Sequence, residues 1–230
     1  MPKETTPGDA PNPQHGREAV SAAVRAQILA TEHWSLLGTR GTTWTEVMSR
    51  ISIHLTVASA GLVVLALVAQ FTGFGTSFNI LAIGLASTIL LLGTLTGVRV
   101  SNASVDDHAL IAGMNRIRAA YLAIDPGLTP YFVATSHDDP AGVMETYTLS
   151  ARRHVVSHVV GSTNMFMSIV NSIVAGVLGA LVAHAANTAP TWIAVIGSLS
   201  ALAYFGMALG ISVRTFARPP IDAHFPTTPE

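Results

Sequence analysis

The chain reads as an all-α integral membrane protein: four transmembrane helices arranged as two hairpins, a possible tandem parallel repeat, with a cytoplasmic helical subdomain between them. Three observations carry this. Only 11% of the 230 residues are charged while 50% are hydrophobic, against roughly 25% charged in ordinary soluble domains. All 25 formal charges fall outside two uncharged blocks, residues 51–98 and 154–213. A helix needs about 20 apolar residues to span a bilayer, so each block suits two crossings joined by a short connection.

Residues 1–16 carry Pro2, Pro7, Pro11 and Pro13 and read as a disordered tail. No basic, apolar, small-residue succession marks a removable signal peptide, so the first span is expected to direct insertion. Residues 17–50 form cytoplasmic amphipathic and juxtamembrane helices, with Val20, Val24 and Ile28 at fourfold spacing followed by Trp34, Leu36 and Leu37. Gly38 and Gly41 are expected to interrupt them. Thr43 with Glu46 three residues on matches a capping box, which predicts a new helix from Trp44 into the membrane.

Residues 51–98 make the first hairpin, with a turn over 71–77. Residues 99–153 form the cytoplasmic subdomain. There Ser104 is expected to cap a helix favoured by Asp106 and Asp107, with Leu110, Met114, Ile117, Tyr121 and Ile124 as its apolar stripe. Asp125-Pro126-Gly127 ends that helix, Asp139-Pro140 marks a turn, and Thr148 or Ser150 starts a helix expected to run unbroken into the third span. Residues 154–213 make the second hairpin with a cytoplasmic helical extension, and residues 214–230 a C-terminal tail.

Lys and Arg divide as five in residues 1–50, five in 99–153 and two after 213. By the positive-inside rule, both termini are expected in the cytoplasm of a bacterial-type inner (plasma) membrane. With a net charge of −1 and scattered basic residues, no nucleic-acid partner is indicated. The partners expected are the lipid bilayer, further copies of the chain in a homo-oligomer, and a cytoplasmic protein.

The two halves resemble one another at a spacing of about 113 residues. Ile80, Ile83, Gly84, Ser87, Gly93, Gly97 and Val100 meet Ile193, Ile196, Gly197, Ser200, Gly206, Gly210 and Val213. Gly93/Gly97 and Gly206/Gly210 both form GxxxG, which lets helix backbones approach closely in lipid. These glycines are read as helix-packing surfaces.

The third span carries Asn164, Ser168 and Asn171, with Ala175 and Gly179, on one face; Ser172 adjoins Asn171. Two uses compete for this polar stripe, packing between helices or the wall of a water-filled path. His154 and His158 stand four apart, the spacing that aims two imidazoles at one metal, with His137 and Asp138 as further candidate ligands for a transition metal. The intervening sequence lacks the glutamate of a zinc-protease signature. Cysteine is absent, removing thiolate sites and disulfides. No nucleophile elbow, phosphate-cradling loop or intramembrane carboxylate occurs, so no catalytic residue or other cofactor is assigned and ion-coupled transport is disfavoured. His54 and His184 are read as hydrated interfacial side chains.

The function expected is that of a homo-oligomeric channel or pore-like protein, its third span facing the axis and its cytoplasmic helices forming a collar. The alternatives are a non-conducting scaffold that docks a partner through those helices, and a membrane-tethered metal-binding subdomain.

Overall fold

The structure, a computed structural model, describes residues 21–149, 161–216 and 222–227. Among them it is all-helical, without strands, and four helices are long and apolar enough to cross a membrane. These are α1 (Ala22–Thr72), α2 (Thr76–Ile124), α4 (Thr163–Ala185) and α5 (Pro190–Phe216); the short α3 (Pro140–Thr148) lies between α2 and α4.

Helix α1 opens at Ser21, whose hydroxyl accepts the Val24 N–H at 3.3 Å, and then runs 51 residues without a break, about 76 Å. The expected interruption at Gly38 and Gly41 is absent. Each glycine costs a helix interior about 1 kcal/mol, and packing offsets this: Leu36 lies over Gly113 of α2, and Trp44, Val47 and Ile51 join a core with Val100, Ala103 and Met167. The capping box also does not form. Thr43 sits inside the helix, and Glu46 instead receives Arg50 at 2.8 Å and Arg99 at 2.8 Å. Gly73, at φ +64°, supplies the left-handed residue that ends α1 and lets α2 begin three residues later.

Helix α2 likewise passes straight through the expected start at Ser104. That hydroxyl donates back to the Val100 carbonyl at 2.9 Å in mid-helix, so it caps nothing. The buried face is also rotated from the expected stripe: Ile111, Ala112, Met114, Asn115 and Ile117 are buried, while Leu110, Tyr121 and Ile124 are only half-covered. Ile111, Ala112 and Met114 meet Val143 of α3, with Leu36 and Tyr147 against them. Asp125 ends α2 and caps a 3-10 turn over Pro126–Tyr131, accepting the Gly127 N–H at 2.9 Å.

Asp139-Pro140 does more than turn the chain. The Asp139 side chain accepts the Gly142 N–H at 2.9 Å with Pro140 in the first turn, which makes this pair the start of α3. Thr148 ends α3 rather than beginning a new helix, and Ser150 lies outside the described residues. Nor does a helix run unbroken into the third span, because Ser162 accepts the Met165 N–H at 3.2 Å and caps a fresh start at Thr163.

Contacts order the helices as α1 against α2, α2 against α4, and α4 against α5, with α2 also touching α5 through Thr94 and Tyr204 hydroxyls 2.9 Å apart. Among the described residues α1 and α4 share no close backbone approach, nor do α1 and α5. The antiparallel register of α4 and α5 rests on small residues: Gly176 faces Gly197 and Ala201, and Gly179 faces Ser200 and Ile196.

Candidate functional site

Where α1, α2 and α4 meet, the absence of one Cβ organises the packing. A methyl built on Gly93 would lie 2.7 Å from His54 Cε1 and 2.9 Å from Asn171 Cγ, and would overlap Asn171 Oδ1. The bare Gly93 backbone is therefore the seat for both polar side chains. Gly97, one turn on, has the Asn171 amide nitrogen at 3.7 Å from its Cβ position, an ordinary contact. His54 is 2% exposed and Asn171 1%. Both imidazole nitrogens and Asn171 Oδ1 lack a hydrogen-bond partner among the described residues. His54 thus lies inside the helix bundle, not in a hydrated interface; His184 is exposed at the end of α4.

The rest of the polar stripe divides between neighbours. Asn164 donates to Ser212 of α5 at 2.7 Å; Ser168 and Ser172 donate to the carbonyls of Asn164 and Ser168 in their own helix. Ser172 is buried, whereas the outward residues of α4 are Phe166, Ile169, Ile173, Val177 and Val182. Of the four GxxxG glycines, Gly93 and Gly97 are in contact with α4. Gly206 and Gly210 would have nothing within 4 Å of a Cβ.

A second polar centre lies beyond the membrane span. Asp107, 2% exposed, accepts from Arg40 Nε at 2.6 Å, from the Trp44 indole N–H at 2.9 Å and from the Tyr147 hydroxyl. One carboxylate so joins α1, α2 and α3. Burial alone would raise its pKa, but the hydrogen bonds from Arg40, Tyr147 and Trp44 outweigh that and hold it below the ordinary carboxylate range. The same burial, with the bond to Asp107, pushes the Tyr147 phenol up, so it stays a donor. The signal for this centre was present in the sequence: Val100, Ala103, Asp107, Ile111 and Met114 fall at helical spacing, and all are buried.

The expected metal ligands are distributed differently. His154 and His158 lie outside the described residues. The Asp138 side chain is fully buried and accepts Arg116 Nε at 2.5 Å, the His224 N–H at 2.9 Å and the Phe225 N–H at 2.7 Å. Burial acts to raise its pKa; these donors, the His224 amide foremost, bring it below the usual value. His137 gives its carbonyl to Asn115 at 2.6 Å and turns its ring toward the Phe225 carbonyl. Asp139 accepts the Thr227 N–H and hydroxyl. Residues 222–227, expected as part of a free tail, are thereby fastened to the loop ahead of α3. Among the described residues no three His, Asp or Glu side chains converge as a metal site.

Compared with known proteins, the chain matches no family model, no curated protein and no solved structure.

Proposed function

We propose that the protein is a non-conducting, self-associating membrane scaffold that holds a rigid helical platform at the cytoplasmic face of a bacterial-type plasma membrane. The observation that carries this is the inward seating of the third span's polar residues. A path lined by Asn171 and Ser172 requires side chains free to meet water, whereas Asn171 is packed on Gly93 of α2, Ser172 is buried, and the outward face of α4 is apolar. The packing use of the stripe is the one this geometry favours.

The two longest helices support the platform half of the reading. About 30 Å of a roughly 75 Å helix spans the hydrocarbon, which leaves some 40 Å of α1 and α2 projecting as one continuous stalk locked by Asp107. Val24, Ile28, Trp34 and Leu37 are exposed on that stalk, Trp34 by 70%, and offer an apolar face to a cytoplasmic partner or another copy. Arg40, Arg50, Arg99 and Arg116 belong to this end, and residues 222–227 fasten beside Arg116. The start of α1 and residues 222–227 thus lie at the same end of the bundle, which supports the reading of an even number of crossings with cytoplasmic termini.

The tandem repeat gains support from register. Ala60-Gly61 in the first hairpin recurs as Ala175-Gly176 in the second, 115 residues on, and the two glycines each lie against their antiparallel partner helix, at Leu85 and Ile89 in one case and at Gly197 and Ala201 in the other. The exposed Gly206-Gly210 face is the equivalent of the occupied Gly93-Gly97 face.

The test is reconstitution of the full chain into vesicles alongside measurement of the extracted particle's mass. A multi-chain particle without ion or small-solute flux above protein-free vesicles is expected. Flux that Asn171→Leu abolishes would overturn the proposal in favour of a pore, and a monomeric particle would remove its self-association.

A further inference from the structure

Among the described residues five buried side-chain polar atoms lack a hydrogen-bond partner; His33 Nδ1 and Ser101 Oγ stand singly, whereas the other three belong to His54 and Asn171 and lie together. Three polar atoms, the two imidazole nitrogens and the amide oxygen, are buried without partners and gather over the single bare backbone position of Gly93. Since His54 Cε1 and Asn171 Cγ both lie within 3 Å of one point, the ring and the amide are no more than about 6 Å apart, within reach of a direct hydrogen bond or one bridging water.

We propose that His54 and Asn171 form an intramembrane proton-binding site. His54 takes the proton on a ring nitrogen, and Asn171 Oδ1 accepts a hydrogen bond from the resulting imidazolium, directly or through a single water. A neutral imidazole can donate only one N–H, and an amide oxygen only accepts. Protonation makes both ring nitrogens donors, so that either can reach this acceptor, and adds a positive charge that strengthens the bond. Buried polar groups without partners are costly, and an ionisable side chain inside a membrane span marks a functional site when a partner stands beside it.

The surroundings leave His54 as the group that titrates here. On α1, Glu46 and Arg50 lie one to two turns toward the cytoplasm, and Arg99 of α2 closes on Glu46 at 2.8 Å. This charged belt places His54 about one turn inside the membrane surface, within reach of cytoplasmic protons. Among its span residues α4 has only His184, exposed at the far end; α5 has Tyr204, bonded to Thr94, and Arg214 in its last turn. Because α1 and α4 have no close backbone approach among the described residues, the proton-bearing link across Gly93 adds a polar tie between them to the packing of α4 on α2 and of Met167 beside Val47 and Ile51. Proton binding thus tightens the bundle.

The test uses the full-length chain in lipid nanodiscs with 15N-labelled histidine, the His54 signals assigned by their loss in His54→Gln. The His54 ring is expected to titrate reversibly, its two ring-nitrogen signals moving together to the doubly protonated pattern. Asn171→Leu should weaken proton binding about tenfold, and Asn171→Asp, which puts a carboxylate in the amide's place, should strengthen it by at least as much. A role in packing alone would lower thermal stability in both variants and leave the midpoint in place. In a second sample of the unaltered chain, 15N-labelled on asparagine and assigned by the loss of signal in Asn171→Leu, the Asn171 side-chain amide signals must shift with the same midpoint as the ring. A ring that stays neutral to pH 4, equal midpoints in the two Asn171 variants, or Asn171 signals indifferent to pH would overturn the proposal.

Discussion

Replacing Gly93 by alanine tests the packing on which the bundle depends. Ordinary side-chain contacts fall at 3.4–4 Å, and the added methyl would stand 2.7 Å from His54 Cε1 and inside the radius of Asn171 Oδ1. Neither neighbour can swing freely, because both are almost fully buried. Relief requires α4 to withdraw from α2 by about 1 Å or Asn171 to leave its seat, and overpacking of this kind costs about 1–3 kcal/mol. A loss near 2 kcal/mol, roughly thirtyfold in the unfolding equilibrium, is expected when denaturation of the purified chain in detergent is followed by circular dichroism. Gly97→Ala, whose nearest neighbour is 3.7 Å away, should be close to neutral. Gly206→Ala and Gly210→Ala, with nothing within 4 Å, should leave chain stability unchanged or gain up to about 1 kcal/mol of helix propensity. Shortening Asn171 to alanine in the Gly93→Ala background should restore at least about 1 kcal/mol, a coupling that a double-mutant cycle reads directly. Equal effects at Gly93 and Gly206, or no coupling to Asn171, would refute the reasoning.

Two further predictions concern the half of the molecule that holds Asp107 and Asp138. Asp107→Asn keeps the shape but removes the charge facing Arg40; with Arg40 35% exposed, a loss near the low end of the 3–5 kcal/mol range, about 3 kcal/mol, is expected in the same assay. Because the folded pKa of Asp107 is depressed, its stabilisation is complete above the unfolded carboxylate value of about 3.9 and disappears as pH falls through the folded value; acid titration of the Asp107→Asn chain should show a correspondingly shallower loss. Asp138→Asn weakens the charged bonds that hold residues 222–227 and should speed amide exchange at His224 and Phe225 by about ten- to a hundredfold, as hydrogen-exchange mass spectrometry can measure.

The spans were legible in the sequence because lipid imposes a coarse requirement: a long apolar run free of charge satisfies it almost regardless of neighbours. The helix boundaries outside the apolar runs were not. Gly38, Gly41, Thr43 and Ser104 carry local signals for breaks and caps, each worth about 1 kcal/mol, and the antiparallel packing of α1 on α2 outweighs them at every one of these positions. Asp107 and Asp138 were misjudged for a related reason. Sequence spacing cannot distinguish a carboxylate at a helix start or a metal site from one whose partners lie 63 and 67 residues away, as Trp44 and Arg40 do from Asp107, or 86 and 87 residues away, as the His224 and Phe225 amides do from Asp138.

The two polar centres do different work along the same helices, and their difference bears on how the molecule could respond to a signal. Asp107 is fully satisfied: Arg40, Trp44 and Tyr147 occupy its oxygens, and α1, α2 and α3 are held in one arrangement. The His54–Asn171 centre is incompletely satisfied and lies between elements that lack close backbone contact with one another. A perturbation that adds or removes one hydrogen bond therefore has little to change at Asp107 and much to change at Gly93. Since α1 is unbroken from the Gly93 contact to its N-terminal end, a shift of His54 relative to α4 would be carried along a stiff rod and appear at Trp34 some 30 Å away. The apolar face there would move as a body with the membrane-embedded segment, without any hinge at Gly38 or Gly41 to absorb the displacement.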